Sequence, residues 1–319
     1  MLFPLPGKPE PPKTLNLVFV HQPGKHSHDD IQAISNRILA IAPEIKIFGV
    51  LPTHGPDSIP EEDWRRPTLT VSFGRVRDFI PRRGPVYENR FVPKLEQFRR
   101  LRAAGVETPY TAPYRHGMEL DPAEWGPFVI MKPTERELTS TGTHLQIFRT
   151  RSLSGRILPQ DHASRRTPML LQQWIDSGEN MTCYRCLTLF GAVLYGSVSR
   201  SADPRPDLDS PDEVIEAMRA ESDRGSNIVC NDADLMDFAA RMAEAFPRHP
   251  ILGCDIIREA GTGRFYAIEV NAGGNVWHFS SQRTAPWRNH DTNERLKRYF
   301  SSFDVAAEVL ASKTRAEAS

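Results

Sequence analysis

Asp255, Glu269 and Asn271 are the residues whose types and spacing point most directly to chemistry. They lie in Ile251–Asn271, which reads as two strands joined by the turn Glu259-Ala-Gly-Thr-Gly-Arg264. Phe265 to Asn271 is rich in aromatic and branched residues, the composition of a strand, and a strand sends alternate side chains to opposite faces. Glu269 and Asn271 therefore share a face, and an antiparallel return through the turn brings Asp255 beside them. Three oxygen-bearing side chains suit a hard cation such as Mg2+, which shares its shell with nucleotide phosphates in phosphoryl-transfer sites. Taken alone, the same residues fit a surface hairpin with solvated acids equally well.

Cationic residues recur upstream. Pro93 and Lys94 open a helix with Leu95, Phe98 and Leu101 on one face and Gly105 at its end; Arg99, Arg100 and Arg102 fall largely on the other side, as a solvated face. Lys132 closes the apolar strand Phe128-Val-Ile-Met-Lys-Pro133. A lysine there can hold a point charge against phosphate, although strands also end in lysine where they reach solvent. The polar loop Thr134–Thr143 carries hydroxyls and amides around Thr141 and Gly142 that can close over phosphates, and His144–Phe148 returns as a strand. Arg149 to Thr167 reads as irregular and polar. A strand from Met169 runs into a hinge at Gln172-Gln-Trp-Ile175 with Glu179 close behind, and Thr182–Leu189 with Ala192–Arg200 forms a hairpin around Gly191 bearing Arg185 and Arg200.

The elements that must position these residues can be read from the patterning. Leu15–His21, Ile45–Leu51 and Thr68–Phe73 are apolar runs of buried-strand type, with a helix from about Asp29 to Ala42 between the first two, so the N-terminal part reads as a small α/β unit with a largely parallel sheet. His26, His28, Asp29 and Asp30 are crowded enough to suggest a metal, but helix capping by Ser27 or Asp29 accounts for most of them. Ser210-Pro-Asp-Glu213 is a capping box that predicts a helix. Asn231 starts another helix with Leu235, Phe238, Ala239 and Met242 inward, and a closing helix from about Thr292 turns Leu296, Phe300, Phe303 and Leu310 inward.

Composition bounds the function. The 319 residues are 39% hydrophobic and 25% charged, as in a globular protein of two to three units. Lys+Arg and Asp+Glu both number 40, so no overall field favours nucleic acid or an anionic membrane, and any anion site must be local. No apolar run approaches a bilayer span, and the proline-broken N-terminus has no signal-peptide core, so the expected location is cytoplasmic. Cys183-Tyr-Arg-Cys186 resembles half a zinc site but lacks a second pair, and in a strand its two sulfurs face opposite ways.

In order, Lys94, Lys132, a small-residue loop, Gln172-Gln-Trp-Ile175 with Glu179, Arg200, Asp255 and Glu269-Val-Asn271 resemble the ATP-grasp superfamily over about residues 85 to 285. The resemblance is to its glutathione synthetase, ribosomal-protein glutamate ligase and D-alanine:D-alanine ligase branches. It implies an α/β (α+β) ATP-grasp fold behind an N-terminal Rossmann-like α/β domain, with residues 1–90 as that domain, 91–171 as the central subdomain and 172–319 as the C-terminal subdomain. Lys94 and Lys132 resemble the lysines that approach the nucleotide phosphates, with Thr141 and Gly142 in the covering loop. Gln172, Gln173, Trp174 and Ile175 resemble the adenine hinge, and Glu179 the acid on the ribose hydroxyls. Asp255, Glu269 and Asn271 resemble the ligands of two Mg2+ ions, for which Mn2+ can substitute. Arg185 and Arg200 resemble arginines that meet phosphate or the acyl substrate, and with Lys132 they are the expected catalytic groups. Gln172 stands where an acid is common, and Gly253 stands where D-alanine:D-alanine ligase has an arginine, which argues against that substrate.

The implied activity is an ATP- and Mg2+-dependent carboxylate-amine ligase working through an acyl phosphate. Its substrates would be small-molecule or peptide carboxylates and amines, with no nucleic acid or membrane partner. Homodimers are frequent among similar proteins, though no feature of this sequence requires one. The alternatives are a kinase of the same fold acting on a hydroxyl, or a nucleotide-binding protein without turnover; intact metal ligands argue against the second. His278 and His21 are candidate substrate contacts.

Overall fold

The computed structural model describes residues 14–22, 26–134, 146–201, 204–205, 207–211, 214–216, 226–273 and 290–319. The chain divides into two compact units, Met1–Glu88 with Phe303–Ser319, and Asn89–Ser302.

The first unit is built on a parallel sheet of β1 (Leu15–Val20), β2 (Ile45–Val50), β3 (Thr68–Ser72) and β4 (Val86–Tyr87), in the order β2-β1-β3-β4. β1 is apolar except for Asn16, which is buried and donates to the Asp63 carbonyl and Thr68 Oγ1, as in a strand covered on both faces. Ile31, Ile34 and Ile38 of helix α1 (His28–Ile41) are buried at helical spacing. Val18, Val20 and Val50 pack with Ile59, Trp64 and Phe79. Ser27 caps α1 by accepting the Asp30 amide at 3.3 Å, in line with the capping reading of this crowded stretch.

The closing helix differs from expectation in two ways. It is two helices, His290–Tyr299 and Ser302–Glu317, because Ser301 takes a left-handed φ of 48° and turns the chain. Leu296 and Leu310 are buried as expected, whereas Phe300 and Phe303 are only half-buried. The second helix also belongs with the first unit, not with 172–302. Arg315 pairs with Glu44 at 2.7 Å and Asp304 with Arg37 at 2.6 Å, while Ala306, Ala307, Leu310 and Ala311 let the helix pack closely.

The second unit holds two antiparallel five-stranded sheets. One contains β5 (Thr111–Pro113), β6 (Phe128–Pro133), β7 (Gln146–Arg149), β8 (Met169–Gln173) and β11 (Val214–Glu216), in the order β11-β7-β6-β8-β5. The other contains β9 (Thr182–Leu189), β10 (Ala192–Arg200), β12 (Ser226–Val229), β13 (Ile251–Arg258) and β14 (Phe265–Ala272), in the order β12-β10-β9-β13-β14. Each sheet packs a large core on one face, and Phe128, Ile130 and Ile147 form a smaller cluster on the other face of the first. Val129, Met131, Phe148 and Leu171 form one core with Trp125, Leu153 and Leu158. Cys186, Cys254, Ile256, Ala267 and Val270 form another with Phe98 and Leu101 of helix Lys94–Ala103 and with Leu235, Phe238 and Met242 of helix Ala233–Glu244.

Two further expectations are corrected here. Arg149 to Thr167 is less irregular than expected: it contains the helix Thr150–Leu153 and a helical turn at Ala163–Arg165, and its two leucines anchor it in the first core. The residues after the Ser210–Glu213 capping box form strand β11 and pair with β7, since a β-branched pair beside an open strand edge gains a ladder that outweighs a local cap.

β14 contains a bulge. Asp255 of β13 faces Glu269 and Ile256 faces Ala267, so Ile268 is the extra residue. Ala267 consequently enters the core and Glu269 points to the opposite face.

Candidate active site

Pairing of three adjacent strands sets the site. Asp255 lies opposite Glu269 on one side and opposite Arg185 on the other, and Asn271 is opposite Gly253. Side chains opposite one another in a ladder share a face, so Glu269, Asp255 and Arg185 form a row across the sheet with Asn271 beside it. Arg185 grips Asp255 with both arms, Nε to Oδ1 at 2.5 Å and Nη2 to Oδ2 at 3.0 Å. Asn271 donates its amide to Asp255 Oδ2 at 3.1 Å. Lys94, at the start of its helix, pairs with Glu269 at 2.8 Å. On the other sheet, Lys132 donates to Gln172 Oε1 at 2.6 Å, and Gln172 in turn donates to Thr111 Oγ1 at 3.1 Å.

These groups share one electrostatic environment. Burial, and then the positive charge of Lys94, push the Lys132 ammonium down to about 8, against the pull of Glu269, Cys183 and Asp255. Burial opposes ionisation of Glu269, but Lys94, Lys132 and Arg185 outweigh it and hold the carboxyl below its usual range. Three cations thus converge on two carboxylates. Solved structures share the fold that carries these groups.

No protein-family model matches the sequence, and no curated protein does. The ATP-grasp ligase PsnB complexed with precursor peptide PsnA2 and AMPPNP is similar over 95% of this chain and 98% of its own, with TM-score 0.50 and 15% identity. PsnB complexed with minimal precursor, Mg and ADP gives TM-score 0.50 and 16% identity over 94% of this chain and 98% of that one. The macrocyclase MdnC bound with precursor peptide MdnA, from Microcystis aeruginosa MRC, gives TM-score 0.50 and 11% identity over 93% and 99%. The chain has the ATP-grasp fold.

On this fold, Lys94, Lys132, Arg185, Asp255, Glu269 and Asn271 come together. Arg200 does not join them. The register sets Ser197 opposite Arg185 and Arg200 opposite Thr182, so Arg200 stands exposed on the alternate pleat. In the hinge, Gln172 is buried and committed to Lys132, and Gln173 Oε1 accepts the Tyr110 amide at 3.4 Å. Trp174 donates its amide to the Phe128 carbonyl at 3.0 Å, closing the strand edge, and packs against Phe128, Ile130 and Ile147. Ile175 is buried and Glu179 is exposed. Thr141, Gly142 and His278 lie outside the described residues.

Asp255, Glu269 and Asn271 fit a hard cation. Among the described residues no group of three or more His, Cys, Asp or Glu side chains can hold a metal; in this site the third donor is the Asn271 amide. Two carboxylates and an amide leave coordination positions for ligand oxygens, the arrangement Mg2+ favours with phosphates. The four cysteines are free thiols. No described helix is long and apolar enough to cross a membrane.

The sequence pattern gave no sign of Gln97. Leu95, expected inward, is half-buried, and Gln97 is buried instead, 3% exposed. Its Nε2 donates to the Val92 carbonyl at 2.8 Å and its Oε1 accepts the Val270 amide at 2.9 Å. It therefore ties the helical turn carrying Lys94 to the strand between Glu269 and Asn271. A glutamine in an amphipathic helix ordinarily reads as solvent-facing; only its position three residues after Lys94 is suggestive. Gln97→Leu is expected to lose about 1–3 kcal/mol of unfolding free energy by orphaning the Val270 amide, read from the urea midpoint.

Proposed function

We propose that this protein is an ATP- and Mg2+-dependent ligase that activates a carboxylate as an acyl phosphate and transfers it to an amine. The observation that carries the reading is the convergence of Lys94, Lys132 and Arg185 on Asp255, Glu269 and Asn271. A carboxylate is a poor acyl donor because its leaving group would be oxide. Phosphorylation by ATP supplies a leaving group, but it requires one anion to approach another.

Asp255, Glu269 and Asn271 would hold Mg2+, as two ions for which Mn2+ can stand in, and the metal would offset the charge of the phosphates. Lys94 and Lys132 neutralise and align the terminal phosphates, with Lys132 steadied by Gln172. The planar fork of Arg185, which now grips Asp255, suits the acyl carboxylate or the phosphate it receives. Trp174 packs on the apolar cluster of Phe128, Ile130 and Ile147, a surface whose chemistry would suit a purine base. Precursor peptides held by PsnB and MdnC support a peptide as one substrate.

The deciding experiment incubates the protein with Mg-ATP, peptide and metabolite fractions, and hydroxylamine. ADP together with a hydroxamate is expected, and the hydroxamate mass identifies the acyl substrate. ADP with a stable phosphorylated product and no hydroxamate would instead indicate a kinase. Failure to bind ATP would overturn the reading.

A further inference from the structure

We propose that His21, His28 and His54 form a binding site for a small oxyanion, a carboxylate or phosphate group, at the carboxyl edge of the parallel sheet in the first unit. The site lies wholly within that unit and stands independently of the nucleotide assignment.

Position is the first argument. His21 directly follows β1, its amide bonded to the Val50 carbonyl at 2.9 Å, and His54 sits in the turn after β2, its amide bonded to Leu51 at 3.0 Å. His28 opens α1, with its ring 6.1 Å from that of His21. The strand order β2-β1-β3-β4 places successive connections on either side of β1. Open α/β sheets bind ligands outside the carboxyl ends of such strands, where the order reverses.

The second argument is the hydrogen on each ring. His54 Nδ1 accepts the Leu51 amide at 3.2 Å, so in the neutral ring its proton sits on Nε2. That nitrogen donates and has no lone pair for a metal. His21 Nδ1 is buried and makes no hydrogen bond among the described residues, which is uncommon for a buried polar atom. Its ring lies against Gly49 of β2, with Nε2 3.9 Å from where a β-carbon there would sit.

Charge is the third. Burial, and then His28 and His54, push the His21 imidazole below its usual range, so the free site disfavours protonation of His21. A bound oxyanion reverses that balance by accepting hydrogen bonds and stabilising imidazolium. A metal is the competing occupant, but the described residues contain no group of three metal-capable side chains, and the His54 tautomer opposes it.

The test uses full-length protein labelled with 15N-histidine, titrated separately with succinate and inorganic phosphate and followed by long-range 1H–15N spectra. One anion is expected to move His21 toward the imidazolium signature, with His28 and His54 responding together. The anion that acts at the lower concentration identifies the ligand as a carboxylate or a phosphate. In His54→Gln the half-point should move about tenfold or more, the loss expected for one charge-assisted hydrogen bond. His28→Gln, at an exposed first-turn position, serves as a second variant if His54→Gln does not fold, and should weaken binding in the same direction. Silent histidine signals with both anions, parent-like binding in the variants, or stoichiometric Zn2+ uptake without an anion response would overturn the proposal.

Discussion

Replacing Lys132 by alanine, or Glu269 by glutamine, is expected to lower turnover with ATP by about 10²- to 10³-fold, the usual loss for one preorganised group acting on developing charge. Lys132 is half-buried, where its charge is screened less than in open water, and its Nζ is held 2.6 Å from Gln172 Oε1. Water cannot replace such a group without reorganising. Glu269→Gln removes a proposed metal ligand and the partner of Lys94 at 2.8 Å. Both variants should give parent-like far-UV circular dichroism, since neither side chain fills a core. Arg99→Ala, which breaks an exposed pair with Glu96 on the solvent side of the same helix as Lys94, is the control and should change nothing. Parent-like turnover in either site variant would remove that residue from the mechanism.

A second large effect concerns pH. An unperturbed lysine stays charged to about pH 10, but Lys132 titrates at about 8, chiefly because it is buried and secondarily because Lys94 is near. For the free enzyme, kcat/KM for ATP is therefore expected to fall tenfold per pH unit above about pH 8, since the neutral amine cannot hold phosphate. Lys132→Arg should abolish that limb, because guanidinium keeps its proton. Stability moves the other way. The folded-state value lies below the usual 10.5, so between these limits the unfolded chain binds more protons. The stability contribution of Lys132 therefore rises with pH across the window in which activity falls, and a thermal-melt series beside the rate profile separates titration from denaturation.

Much of the architecture follows from periodicity. Leu15–Val20 has the largely apolar run of a doubly covered strand, and Leu235, Phe238, Ala239 and Met242 fall on one helical face and are buried. Asp255, Glu269 and Asn271 were accessible because alternation and a glycine-bearing turn are local properties. Less legible were features set by partners distant in the chain. Whether Arg200 faces the site depends on its register with Thr182, and β10 shifts register between Val193 and Tyr195. Gln97 has meaning only once Val270 is beside it. Residues 214–216 carried a cap signal upstream, yet the free edge of β7 decided their conformation. Leu153 and Leu158 are too sparse among polar neighbours to announce that their segment is anchored.

The extra residue in β14 inverts the parity of the strand. Odd positions serve the core up to Ala267, where Phe265 meets Tyr184 and Phe238, and from Glu269 onward odd positions serve the chemistry. Ile268 is the point at which the reading frame changes. Strict alternation would force a choice between a hydrophobic underside and an acidic upper face. Substitutions at Ile268 are expected to leave this arrangement in place, whereas inserting or deleting one residue between Ala267 and Glu269 is expected to exchange the two faces for everything downstream. The strand's length at that point is thus under a constraint that its side-chain identity is not.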